Sequence, residues 1–367
     1  METNEKTELL SLTRDELYAL VRSISPSEPQ YRIDQLYSQL HKGISPEQMT
    51  NIPKRLKEAL AQVSFCALPQ IHTKLVSAVD GTVKYLFRLY DGNCIESVVM
   101  KYKHGNTICI SSQVGCRMGC KFCASTIGGR VRDLLCGEML GQILVAQKDT
   151  GERISNVVMM GIGEPLDNFD NTVRFLHTVN DPQGLGIGYR HISLSTCGIV
   201  PKIYELAQLN LPITLSISLH APDDEARSEI MPINKKYPID ELMDACFAYY
   251  AENLRRISFE YTLIAGKNDS VERARSLARL LNSSLRRGGA TMPIHVNLIP
   301  VNDVTESGFK RSAKAAIDKF AATLESQGIR ATVRRRLGPD INASCGQLRR
   351  QSATSDGESK KILDGAE

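Results

Sequence analysis

From residue 107 to residue 335, apolar runs that suit strands alternate with amphipathic runs that suit helices. No other feature narrows the possible folds as much. The strand candidates are TICIS, NVVMMG, HISLST, ITLSISLH, ISFEYTLIAG, IHVNLIPV and RATVRR. Between them stand runs such as GEMLGQILVAQK, NTVRFLHTV, IDELMDACFAYY, SVERARSLARLL and RSAKAAIDKFAATL. Six βα units and a closing strand predict a parallel α/β sheet, either a partial barrel or a doubly wound sheet. In both, function sits at the carboxyl ends of the strands.

The preceding residues follow other periods. Residues 1–68 predict a helical domain. Thr13 with Glu16 and Ser45 with Gln48 match capping boxes, with Pro46 at a first helical position, and Ile33, Leu36, Tyr37 and Leu40 share one helical face. Val83, Tyr85, Phe87 and Leu89 alternate as in a half-buried strand between Asp80-Gly81 and Asp91-Gly92 turns, and CIESVVMKY supplies its partner. Residues 69–104 therefore predict a small antiparallel β linker, residues 105–350 the α/β part, and residues 351–367 a frayed tail.

With 42% hydrophobic and 23% charged residues the composition is that of a soluble globular protein. The net charge of +4 permits a polyanionic partner without demanding one. No run approaches a membrane span, and the charged N-terminus lacks the apolar core of a secretory signal. Six cysteines scattered singly suit a reducing, cytoplasmic compartment.

The other four are Cys109, Cys116, Cys120 and Cys123. The last three form C-x3-C-x2-C just after the first strand of the α/β part, where a cofactor would sit. Three soft thiolates can each ligate one iron of a cubane cluster and leave the fourth iron open. A zinc site completed from elsewhere and buried structural thiols are the competing readings. After the next strand, MGIGEPLDN holds two glycines that would let the backbone approach a ligand, and Glu164 offers a carboxylate for an ammonium group.

C-x3-C-x2-C with Phe122 before its last cysteine is similar to the radical S-adenosylmethionine (SAM) superfamily, whose usual fold is a partial (βα)6 barrel. The resemblance implies a 4Fe–4S cluster on Cys116, Cys120 and Cys123, with SAM chelated by the fourth iron. TICISSQVGC, GIGEPLDNF, STCGIVPKI, SLHAPDDEARSEIMPIN, HVNLIPVN and DINASCGQL together resemble the RlmN family, over residues from about 15 to 350. That family methylates C2 of an adenine in 23S ribosomal RNA, and some members also modify tRNA; the related Cfr enzymes methylate C8. Two departures, NASCGQL and Cys197 in STCG, touch no group with an implied catalytic role.

The resemblance implies a methyl-cysteine route that consumes two SAM per turnover, because adenine C2 is electron-poor and SAM delivers methyl as an electrophile. It makes Cys345 the methyl carrier, Cys109 the thiol that releases product by forming a disulfide with Cys345, and Glu96 the proton acceptor, a role for which Cys109 competes. It places SAM contacts at Gly163, Glu164, Ser195, Ser218, Leu219, His220 and Asn297. It also implies an electron donor for the cluster, a thiol reductant for the disulfide, and action as a monomer. RNA phosphates are expected on Arg330, Arg334, Arg335, Arg336, Arg349 and Arg350, and on Arg286 and Arg287.

Overall fold

The computed structural model describes residues 6–286, 292–301, 309–341 and 343. Three helices open the chain: α1 (Arg14–Ile24), α2 (Gln30–Leu40) and α3 (Lys54–Val63). The Thr13–Glu16 capping box is formed in both directions. Ser45 leads a single 3-10 turn, Pro46–Gln48, and no longer helix. Ile33, Leu36, Tyr37 and Leu40 pack with Leu17, Val21, Leu56 and Leu60 into a satellite core.

Next come β1 (Gln70–Val76), β2 (Val83–Arg88), β3 (Cys94–Tyr102) and β4 (Gly105–Cys109). The α/β part continues with α4 (Cys136–Thr150), β5 (Ile154–Met159), α5 (Phe169–Asn180), β6 (Ile192–Thr196), α6 (Val200–Gln208), β7 (Thr214–Ser218), α7 (Asp224–Ile230) and α8 (Ile239–Asn253). It closes with β8 (Ile257–Leu263), α9 (Val271–Leu285), β9 (Ile294–Pro300), α10 (Lys314–Ser326) and β10 (Arg330–Val333).

These ten strands form one sheet, each beside its neighbour in sequence. The pairs from β4 to β10 are parallel, as the strand–helix alternation requires. β1 to β4 run antiparallel and extend the same sheet, so the linker strands form no separate sheet. This changes the burial of β2: Val83 to Phe87 are buried on both faces, where a half-buried strand was expected.

The parallel strands alternate. Leu194, Leu215, Ile217, Phe259 and Tyr261 face the helices in the main core. Their neighbours Ser193, Ser195, Ser216, Ser218, Ser258, Glu260 and Thr262 line cavities on the inner face. The result is a partial barrel with an apolar coat and a hydroxyl-rich lumen. Satellite and main cores meet at α4, where Leu144 joins the satellite core and the Ser11 hydroxyl accepts from the Gly137 amide at 2.8 Å. Among the described residues no helix is long and apolar enough to cross a membrane.

Candidate active site

Beyond β4 the chain forms a two-stranded ribbon, Gln113–Gly115 against Arg130–Asp133, which closes the base of the cysteine loop. Gly115 has φ +78°, and a Cβ there would overlap the Gly129 carbonyl oxygen. The Cys116 amide donates to that oxygen at 3.0 Å, and the Thr126 hydroxyl donates to the Cys123 carbonyl at 2.9 Å. The far side of the loop is tied to α7 through the Lys121 amide and Ile230 carbonyl, 2.9 Å apart.

Cys116, Cys120 and Cys123 line one cavity of about 210 Å3 at the carboxyl ends of the strands. Gly163, Glu164, Ser195, Ser218 and His220 stand on its other walls. Burial pushes the Cys116 thiol up to about 12 and raises Cys120 as well. Glu164 is buried. Its carboxylate accepts from the amides of Leu166 (3.0 Å) and Cys197 (2.7 Å), which oppose the upward pKa shift that burial causes. The glycines of this motif line the cysteine cavity and also pack closely against the protein itself. A Cβ at Gly161 would lie 2.5 Å from the Ile110 carbonyl oxygen, and Gly163, at φ +110°, presses on Gln113.

His220 takes φ +59° at the end of β7. Its Nδ1 accepts from the Thr262 amide at 3.0 Å, and its ring meets Phe122 edge-on with centroids 4.7 Å apart. Burial, with Arg227 nearby, lowers its pKa to about 3, so the ring is neutral and carries its proton on Nε2.

The remaining candidates lie elsewhere. The Leu219 side chain is in the main core, and its amide donates to the Glu260 carbonyl. Asn297 lines an adjoining cavity and donates to the Glu260 carboxylate at 2.6 Å. Cys109 lines a third cavity, of about 180 Å3, with Val98, Met100 and Ala343. Glu96, two residues before Val98, the register partner of Cys109, is buried in an ion pair of 3.0 Å with the equally buried Lys84. Cys345, Arg287, Arg349, Arg350 and the tail lie outside the described residues. Arg334 borders all three cavities.

A family model for the radical SAM superfamily matches residues 110–278. A solved radical SAM methyltransferase from Sphaerobacter thermophilus superposes with a TM-score of 0.85 at 40% identity, covering 93% of this chain and 98% of that one. A probable dual-specificity RNA methyltransferase RlmN of Alkaliphilus metalliredigens is 51% identical over 98% of this chain and 99% of its own. Its namesake from Clostridium botulinum (strain Eklund 17B / Type B) is 54% identical over 93% of this chain and 96% of its own. The chain belongs to the RlmN family.

Two residues of this RlmN-family site escaped the sequence. Arg227 is fully buried and donates to the carbonyls of Cys197 (2.7 Å), Ser218 (3.1 Å) and Leu219 (3.2 Å) and to Asn234 (2.8 Å). It clamps the ends of β6 and β7 under the cysteine cavity. Its acidic neighbours Asp223, Asp224 and Glu225 give no local sign that it is buried. Glu260 is buried where the cysteine cavity and its neighbour meet, and the Ser258 hydroxyl donates to it at 3.0 Å. Its signal was an acid in an otherwise strand-like apolar run, in phase with Ser258 and Thr262.

Proposed function

We propose that this chain methylates C2 of an adenosine in 23S ribosomal RNA, and of an adenosine in tRNA, through a methyl-cysteine on Cys345. The observation that carries this reading is the placement of Cys109. It shares a cavity with Ala343, two residues before Cys345, and that cavity meets the cysteine-lined one at Ile299 and Arg334. Methyl-carrying and product-releasing thiols must be neighbours, and both must adjoin the place where SAM binds.

The three cysteines suit a 4Fe–4S cluster by donor chemistry: thiols alone, Cys116 and Cys120 buried and Cys123 half-buried, all lining one cavity beside the buried Arg227 cation. That cation has carbonyl and amide partners and favours an anionic group nearby. Among the described residues no three His, Cys, Asp or Glu side chains converge on a single ion. When bound, the cluster and SAM supply a methyl electrophile and a hydrogen-abstracting radical. Glu164 receives the SAM ammonium group, Ser195 and Ser218 offer hydroxyls, and His220 offers its Nε2–H. The Leu219 backbone and Asn297 act from the next layer.

Cys345 takes the methyl as a thiolate. Glu96, oriented by Lys84, accepts the C2 proton after the carbon on Cys345 has bonded to the base. The Cys109 sulfur then attacks the Cys345 sulfur. An S–S bond forms as the bond between sulfur and product carbon breaks, and that carbon keeps the electron pair and takes up a proton to become the methyl group. A two-electron thiol reductant restores both thiols, and a separate one-electron donor serves the cluster.

Cys109→Ala tests this order of events. The variant should form a protein–RNA adduct that survives denaturation and maps by peptide sequencing to Cys345. Normal turnover by Cys109→Ala, or an adduct at another residue, would remove the two-thiol route.

A further inference from the structure

A cavity of about 410 Å3, roughly twice the one the cysteines line, opens at the opposite mouth of the barrel. Polar side chains stand on its wall among apolar ones: Asn156, Ser193, Thr214 and Ser258 come from the amino-terminal halves of their strands. Its rim carries Arg190, Arg256 and Arg335. Several arginines elsewhere sit on carboxylates, as in Arg117–Asp167, Arg132–Glu138 and Arg174–Glu16. Among the described residues, the three rim guanidiniums have no hydrogen-bonding or carboxylate partner. Burial and the repulsion of Arg330 and Arg255 push the Arg256 pKa down. The acid in this cavity, Glu260, lies deep and is engaged by Asn297 and Ser258.

Unpaired cations around a polar cavity call for an anion carrying a polar, flat group. The volume lies in the range of pockets that enclose a small ligand such as a nucleotide. The cavity leads on: Met160, Glu260 and Arg334 line both it and the cysteine-lined cavity. A ligand held at the rim therefore points toward the reacting centre through the lumen.

We propose that this mouth is the RNA-binding site through which the substrate strand reaches the lumen. An unpaired nucleotide occupies the cavity and its phosphodiesters lie on Arg190, Arg256 and Arg335. The inference rests on the RNA-methyltransferase reading and assigns that substrate its route. A duplex cannot enter such a cavity, so the recognised segment is single-stranded, with its base unstacked.

The test uses the cluster-loaded full-length protein and a labelled RNA hairpin with an unpaired adenosine in its loop. Kd is measured against salt for the parent, for R190A/R256A, and for K235A/K236A. The last pair lies beyond α7, whose end packs against the cysteine loop at the other mouth. R190A/R256A should weaken binding tenfold or more and flatten the log–log salt slope by about 1.4, at ~0.7 per phosphate contact on a single strand. Its iron content and SAM affinity should match the parent, which excludes misfolding. K235A/K236A should keep the parent slope. Parent-like affinity and slope in R190A/R256A, or equal flattening in K235A/K236A, would overturn the proposal. Binding through this mouth without methylation would refute the proposed activity and leave the binding site standing; methylation with an unaltered R190A/R256A slope would do the reverse.

Discussion

Arg227 shows how a single side chain sets the geometry of this site. Three strand-end carbonyls and Asn234 converge on a guanidinium with no exposure to solvent. Removing it would leave buried carbonyls without donors, at ~1–3 kcal/mol each. Arg227→Ala should therefore lower unfolding free energy by about 3–5 kcal/mol, read from a urea melt. Arg227→Lys should recover little, because an ammonium cannot span the same fork of acceptors. A loss below 1 kcal/mol would mean the clamp is dispensable. Glu164→Gln is a test of another kind. It keeps the shape and removes the charge assigned to the SAM ammonium, so SAM affinity should drop while iron content stays constant; equilibrium dialysis on the loaded protein reads both. The three cysteines were legible in the sequence because their spacing lies within one loop. Arg227 and Glu260 were not, because their roles depend on long-range burial, which short-range sequence patterns do not report.

The ribbon that closes the cysteine loop depends on Gly115. A Cβ there collides with backbone at a positive φ, so neither side can give way cheaply. Gly115→Ala should reduce iron incorporation in the reconstituted protein by several-fold, and full incorporation would show that the ribbon tolerates the strain. The N-terminal helices make a different prediction. His41, which follows α2, is buried, and its Nδ1 has no hydrogen-bond partner. Burial lowers its pKa from 6.5 to about 4. The unfolded chain therefore takes up the proton first. The stability this site confers is complete above pH 6.5 and lost as pH falls toward 4, amounting to roughly 3 kcal/mol. His41→Phe should flatten the dependence of stability on pH in that window, and an unchanged profile would assign the titration elsewhere. Every parallel strand was visible as an apolar run. The six βα units require α6, and its Pro201 sits in the first turn, where a missing N–H costs nothing. The alternating serines of β6 and β7 already encoded the polar lumen. They passed unnoticed because parallel strands are expected to be apolar on both faces.

Across the molecule, three cavities meet at Arg334, and each holds a different part of the proposed chemistry. The cysteines and Glu164 border one, Cys109 borders the second, and unpaired arginines rim the third. The antiparallel strands β1 to β3 matter here because they extend the barrel sheet, which puts Glu96 and Lys84 on the same inner surface as Cys109. The sequence placed these residues in a linker and could not show that the linker is a barrel wall. In the proposed reaction this wall and the cysteine loop together methylate adenine at C2. The most direct measurement is to incubate the anaerobically reconstituted protein with SAM, a reductant and unmethylated 23S ribosomal RNA, digest the RNA, and separate its nucleosides against 2-methyladenosine and 8-methyladenosine standards. A new peak should co-elute with 2-methyladenosine and disappear with Cys345→Ala. A peak at 8-methyladenosine, or 2-methyladenosine formed without Cys345, would contradict the proposed reaction.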